Sequence, residues 1–206
     1  CSCSAPSARG GDRLLVDMLA LPSWQRPRWA PDGNSLLYIS NESGRKQVHL
    51  RSPDGSSRQL TAVRGQVKQA MWGPDGRIFY EWDAQGRERM QISSVAPALE
   101  LTADFPDAIH ELGAVARDGR LAFGSNRGHP ADFDLYEFDA GKTRRLCQGR
   151  GRNVPLRYTS DGKGLLYLHE RNAVDTELHL LRGKADQLLT PHDQPAVYLS
   201  PRLEED

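Results

Sequence analysis

The densest gathering of chemically capable side chains is the stretch Asn126 to Asp134, where Arg127, His129, Asp132 and Asp134 fall within nine residues. A guanidinium, an imidazole and two carboxylates on one loop could form a polar patch that contacts a substrate or a neighbouring domain, because functional side chains concentrate on loops held by a rigid scaffold. The competing reading is structural: loop aspartates bond their own backbone, and the arginine lies on the surface.

Other groups point away from catalysis. The six histidines are scattered, and His110-Glu111 and His169-Glu170 begin a His-Glu-x-x-His zinc pattern without the second histidine. No metal is expected. Gly141-Lys142-Thr143 has the ending of a phosphate-binding loop, but that motif needs glycine five positions before Gly141, where Tyr136 stands. No cofactor is expected either. A serine hydrolase with an α/β fold needs Gly-x-Ser-x-Gly to place its nucleophile on a tight turn, and the 206 residues contain no such pentapeptide. The chain is therefore expected to hold no catalytic residue of its own. Asn41-Glu42-Ser43 fits a glycosylation sequon, a triplet too common to carry weight.

Composition narrows the partners. Lys plus Arg and Asp plus Glu are both 27, so no net field draws the chain onto nucleic acid or an anionic membrane. No apolar run approaches the roughly 20 residues that span a bilayer. Cys1 and Cys3 are too close for an ordinary disulfide and Cys147 has no obvious mate, so the three cysteines form no disulfide framework. An unpaired Cys147 favours a reducing cytoplasm, the preferred compartment, whereas a start at Cys1 would suit a lipidated, exported form.

The elements that would position these residues come from a repeat. Asp-Gly recurs at Asp32-Gly33, Asp75-Gly76, Asp118-Gly119 and Asp161-Gly162, each 43 residues after the last. Glycine accepts positive φ without steric cost and the aspartate can bond the turn amides, so these carboxylates are read as turn chemistry. A bulky residue precedes each turn: Trp29, Trp72, Val115 and Tyr158. After each turn an aliphatic and an aromatic residue stand two apart, as Leu36/Tyr38, Ile78/Tyr80, Leu121/Phe123 and Leu165/Tyr167, which puts each pair on one sheet face. A third strand is marked by Val48, Met90, Leu135 and Leu178, and each copy closes on Leu60-Thr61, Leu101-Thr102, Leu146-Cys147 or Leu189-Thr190. On this repeat His49 and His179 occupy one equivalent place.

Four strands per roughly 40- to 50-residue repeat is the pattern of an all-β propeller built from four-stranded antiparallel blades. The expected layout is an N-terminal segment 1–23 with a short helix over Asp12 to Leu21, then four blades at 24–61, 67–102, 110–147 and 153–190. Residues 191–206, with a strand at Ala196 to Leu199, would start a fifth. Since propellers close with roughly 4 to 8 blades, an incomplete ring that continues past Asp206 is expected.

The phrase Trp29-Ala30-Pro31-Asp32-Gly33, with its strand Leu36 to Ser40 and closing Leu60-Thr61, resembles the propeller repeats shared by TolB-like proteins and bacterial prolyl-oligopeptidase-family serine peptidases. Three further stretches are similar to the peptidase blades: His110 to Ala114, Ser125-Asn126-Arg127 followed by Pro130 to Tyr136, and Leu189 to His192. The resemblance implies a non-catalytic N-terminal propeller that caps an α/β-hydrolase domain of the same polypeptide and admits short peptides. The family's serine, aspartate and histidine would then lie beyond Asp206. The alternative is a TolB-like scaffold that binds proteins of a cell-envelope complex. A third reading is a self-contained small propeller with a ligand at its central pore.

Overall fold

The computed structural model describes residues 21–84 and 86–198. Among them every regular element is a strand. The first unit comprises β1 (Trp24–Trp29), β2 (Leu36–Ser40), β3 (Gln47–Arg51) and β4 (Ser57–Gln59). The second comprises β5 (Gln66–Trp72), β6 (Ile78–Asp83), β7 (Met90–Ser94) and β8 (Leu99–Glu100). The third has β9 (His110–Val115), β10 (Leu121–His129), β11 (Asp132–Asp139) and β12 (Lys142–Cys147). The fourth has β13 (Arg152–Tyr158), β14 (Leu165–Asn172), β15 (Asp175–Arg182) and β16 (Ala185–Leu188). Each unit is an antiparallel meander, and one parallel contact, Phe133 with Arg152, fuses units three and four into an eight-stranded sheet.

The first hairpin of every unit turns by the same device. Asp32, Asp75, Asp118 and Asp161 each accept, through Oδ1, the amide two residues on, at 2.9, 3.1, 3.3 and 3.0 Å. The glycine that follows sits at φ between 68° and 90° and donates its N–H three residues back. Only glycine holds that backbone without strain.

Period-two alternation then decides which unit packs on which. Ile78 and Tyr80 face unit one, where they meet Leu37, Ile39 and Val48. Leu121 and Phe123 face unit two against Phe79 and Ile92. Leu165 and Tyr167 face unit three against Ala122 and Leu135. The second strand thus gives one face to the preceding unit and the other to the following one, as the two-residue spacing requires. Across the sheet from each aromatic stands a directly paired residue of the third strand: Tyr38 with His49, Tyr80 with Ser93, Phe123 with Tyr136 and Tyr167 with His179. Three of these pairs stack, with ring centroids at 5.4, 5.7 and 5.0 Å.

The closing Leu-Thr pairs act as clasps. Leu60, Leu101 and Leu189 donate their amides to the carbonyls of Val48, Ile92 and Leu178, and Thr61, Thr102 and Thr190 accept the amides of those same residues through Oγ1. The equivalent position in unit two is therefore Ile92 rather than the Met90 expected from sequence. The two are separated by one residue and share a sheet face, so the apolar pattern alone cannot tell them apart.

Two expectations fall at the ends of the chain. The helix over Asp12 to Leu21 lies outside the described residues except for Leu21, which is exposed and not helical. Residues 191–198 form no strand, and Leu199 onward is not described. The segment is nonetheless fastened to β15: Thr176 donates its amide to the Ala196 carbonyl at 2.8 Å, and the Tyr198 amide donates to Thr176 Oγ1 at 2.8 Å. His192 bridges the Thr190 carbonyl and Asp175, each at 2.8 Å.

Units three and four pack closely at Gly113, where an added Cβ would fall 2.1 Å from Pro155 Cγ. Gly113→Ala is expected to force the first strands of these units apart and cost about 1–3 kcal/mol, the usual range for overpacking. Urea unfolding would show a lower midpoint, and an unchanged midpoint would contradict this packing.

Candidate functional site

The stretch that sequence marked as a nine-residue loop is mostly strand. β10 runs to His129 and β11 starts at Asp132, so only Pro130 and Ala131 form the hairpin tip. Asn126 makes the extension possible. Its Oδ1 accepts the Ile109 amide at 2.7 Å, its Nδ2 donates to the Pro130 carbonyl at 3.2 Å, and the register shifts between Ser125 and His129. A side-chain bracket of this kind satisfies backbone groups that a bulge leaves unpaired.

The four marked residues separate by partner. Asp132 Oδ1 accepts the Gly151 amide at 2.8 Å, and Asp134 Oδ1 accepts the Gly149 amide at 3.2 Å. Both carboxylates hold the link between units three and four. Asp134 is buried and also receives Arg145 Nη1 at 3.4 Å. His129 is exposed, with Nδ1 3.1 Å from Asp132 Oδ2.

Arg127 has a different environment. Its guanidinium carbon lies 4.5 Å from the centroid of Phe105, 4.4 Å from that of Tyr136 and 5.2 Å from that of Phe123. Among the described residues no carboxylate lies within ion-pair distance of it, and its Nη2 is shut off from solvent with no acceptor. Burial lowers its pKa, with Tyr136 and Asp104 opposing. Arg127 borders a cavity of about 590 Å³ between units two and three, with Arg89, Asp104, Phe105, Asp107, His129 and Pro130 also on its wall.

Beneath this cavity His110 is fully buried. Its Nε2 lies 3.2 Å from the Phe105 carbonyl, and its Nδ1 has no partner. Burial drives its pKa down to about 4. Sequence marked Arg127 and not what holds it. Phe105 carries no local signal, because it reaches Arg127 only through the packing of unit two on unit three.

A second cavity of about 470 Å³ is bordered by the first strands of all four units, through Arg28 and Trp29, Met71 and Trp72, Gly113 to Val115, and Leu156 and Arg157. Four first strands around one space is the arrangement that blades take about a propeller axis. Among the described residues no group of three or more His, Cys, Asp or Glu side chains is placed to hold a metal ion, and no helix is long and apolar enough to cross a membrane.

Comparison with known proteins places this geometry. No family model matches the chain. It is 26% identical over 170 residues to the uncharacterized peptidase YuxL of Bacillus subtilis, a match that covers 81% of this chain and 23% of that protein. It is 56% identical over 36 residues to the Tol-Pal system protein TolB of Hydrogenovibrio crunogenus, covering 18% of this chain and 8% of that one. The chain thus spans less than a quarter of either relative. Among solved structures, TolB from Acinetobacter baumannii superposes with a TM-score of 0.61 at 21% identity, over 84% of this chain and 45% of that one. A prolyl endopeptidase gives a TM-score of 0.61 at 15% identity, over 89% of this chain and 31% of that chain. The fold is that of the propeller shared by TolB and these peptidases, and the chain resembles both.

His110 yields a pH signature. Its folded-state value of about 4 lies below the ordinary 6.5, so the unfolded chain takes up a proton first as pH falls. The contribution is complete above about pH 6.5, is lost progressively down to about pH 4, and amounts to on the order of 3 kcal/mol. His110→Phe removes the titrating group and should flatten this part of the stability curve. Urea midpoints across that window would test it, and an identical slope in both proteins would sink the assignment.

Proposed function

We propose that this chain is the front part of a β-propeller in a prolyl-oligopeptidase-family serine peptidase, where it docks on an α/β-hydrolase domain and restricts entry to short peptides without contributing a catalytic residue. The observation that carries the reading is the extent of the sequence likeness: 81% of the chain aligns with the Bacillus subtilis peptidase, against 18% to 32% with the TolB proteins.

The packing rule supports an incomplete ring. In the first unit Leu36 and Tyr38 hold the place that in every later unit is packed on the preceding one, and Trp24 and Trp29 of β1 are 61% and 67% exposed. At the other end Leu166 and Leu168 alternate with Leu165 and Tyr167, and so point toward a following unit. The path of residues 191–198 agrees. The Phe133 amide donates to the Gly151 carbonyl just before unit four begins, and the Thr176 amide makes the corresponding bond to Ala196. A fifth blade starting from there, with others beyond Asp206, would pack beside Leu166 and Leu168 and cover the exposed Trp24 and Trp29.

In this reading the hairpin that carries Arg127 and His129 belongs to the rim presented to the hydrolase domain or the peptide, with Asp132 and Asp134 fixing it in place. The TolB reading, a protein-binding scaffold in the cell envelope, keeps the support of the short stretch at 56% identity. A fluorophosphonate probe that modifies active-site serines separates the two. The polypeptide extended past Asp206 should be labelled while residues 1–206 alone stay unlabelled, and removal of the propeller should let the hydrolase cut folded proteins as well as short peptides. Failure of the extended polypeptide to label would reject the peptidase reading.

A further inference from the structure

The segment that leaves each unit is tied back to the start of that unit's third strand. In unit one Gln47 accepts the Thr61 hydroxyl and the Val63 amide at 2.8 and 3.1 Å, and donates to the Val63 carbonyl at 3.1 Å. In unit two Gln91 accepts the Thr102 hydroxyl at 2.9 Å and donates to the Pro106 and Ala108 carbonyls at 3.3 and 3.2 Å. In unit three Asp134 takes the place of these glutamines and accepts the Gly149 amide, while Asp132 accepts that of Gly151. Amides, carboxamides and hydroxyls keep their protons near neutral pH, so these three ties are indifferent to it. Unit four differs. Asp175 and Glu177 stand 43 residues after Asp132 and Asp134, but the residue 43 after Gly149 is His192, whose side chain titrates.

The ring of His192 lies between two acceptors. Nε2 is 2.8 Å from Asp175 Oδ1, and Nδ1 is 2.8 Å from the Thr190 carbonyl. A carboxylate and a carbonyl can only accept, so both bonds form together only when both ring nitrogens carry protons, that is, in the imidazolium. A neutral ring keeps one bond and turns a lone pair toward the other oxygen. The two side chains are 13% and 14% exposed, so water replaces the lost bond poorly. Glu177 adds a second negative charge near the ring, and Tyr198 lies 6.0 Å away, centroid to centroid. Arg171 on β14 opposes them, with Nη1 3.5 Å from Asp175 Oδ2 and 3.4 Å from Glu177 Oε1, and His179 Nε2 stands 3.5 Å from Glu177 Oε2. The Asp175 bond, followed by the Thr190 carbonyl, outweighs this opposition and raises the His192 pKa above its ordinary 6.5; the same bond lowers that of Asp175.

We propose that His192 is a pH-sensitive latch on the path out of unit four: as an imidazolium it ties residues 191–198 to β15 through Asp175, and loss of its proton releases them. The backbone bonds beside it are those it secures. The Thr176 amide donates to the Ala196 carbonyl and the Tyr198 amide to Thr176 Oγ1, both at 2.8 Å and both next to Asp175 in the chain. The folded chain holds the His192 proton more tightly than the unfolded chain does. The latch is therefore fully closed below about pH 6.5 and opens as pH rises through the higher folded-state value. It stands on the described residues, whichever of the two functional readings holds.

The test is a pH titration of the ¹⁵N-labelled chain by NMR from about pH 5 to about pH 8, the range in which histidines change charge. Both His192 ring nitrogens should carry protons at the acid end and titrate with a midpoint above 6.5. Through that midpoint the hydrogen-exchange protection of the Thr176 and Tyr198 amides, corrected for intrinsic rates, should fall about three- to tenfold, the scale of a partly exposed charge-assisted bond. The Val67 amide is the control: it joins the same two places in unit one by donating to the Lys46 carbonyl at 2.8 Å, and its protection should stay level. His192→Gln offers donors to both acceptors without a titrating group and should flatten the pH dependence at Thr176 and Tyr198. Asp175→Asn should lower the His192 midpoint. Backbone amide spectra establish that the variants are folded, and the wild-type titration decides the matter if they are not. A His192 midpoint at or below 6.5, protection at Thr176 and Tyr198 that does not follow the His192 titration, or an equal fall at Val67 would overturn the proposal.

Discussion

A four-stranded sheet that is apolar on both faces cannot stand alone in water, and each unit of this chain has its second strand built that way. Ile78, Tyr80 and Phe79 alternate along one strand and are buried against two different neighbours. The same holds for Leu121, Ala122 and Phe123. Everything else follows from that double burial: the order of the units, the convergence of the first strands on one axial cavity, and the grooves left where loops of adjacent units meet. The aspartate turns in all four units and the threonine clasps in three stabilise the individual sheets, but they do not choose their neighbours.

This division explains what sequence could reveal. The turn chemistry is local, so the recurrence of Asp-Gly marked the first hairpin of every unit, and the aliphatic-x-aromatic step identified the face packed on the preceding unit. Met90 and Ile92 stand two apart on one strand, and residues so spaced look alike to a periodic pattern. The expected loop at Asn126 to Asp134 proved to be extended hairpin because one asparagine, Asn126, satisfies amide and carbonyl groups that a bulge would otherwise leave bare. Of the candidate site, Arg127 was legible as a residue type. Its ring neighbours were not, since Phe105 reaches it from the preceding unit and a side chain's long-range surroundings leave no trace in local spacing.

The fate of the buried charges follows from the same packing. At the turn end of units three and four, Arg120, Arg144, Glu137 and Tyr158 satisfy one another, and burial together with the Glu137 carboxylate pushes the Tyr158 phenol well above its ordinary range. At the opposite end of the same sheet, Asp132 and Asp134 are spent on backbone amides, which leaves Arg127 to the aromatic rings. One sheet therefore has a closed electrostatic end and an open one.

The single parallel contact between Phe133 and Arg152 has a mechanical meaning. Units one and two are separate sheets that hold their neighbours mainly by side-chain burial, with directional bonds at a few points: the Val67 amide donates to the Lys46 carbonyl at 2.8 Å, and Glu81 and Gln69 reach the Leu112 backbone at 2.8 and 2.7 Å. Units three and four are joined in one sheet by that parallel contact, reinforced by Arg152 spanning Glu111 and Glu170. The hold between neighbouring units is accordingly graded along the described chain. The fused pair forms a keel, whereas the Trp24–Trp29 strand, exposed along its whole length, contributes the least burial of the four first strands.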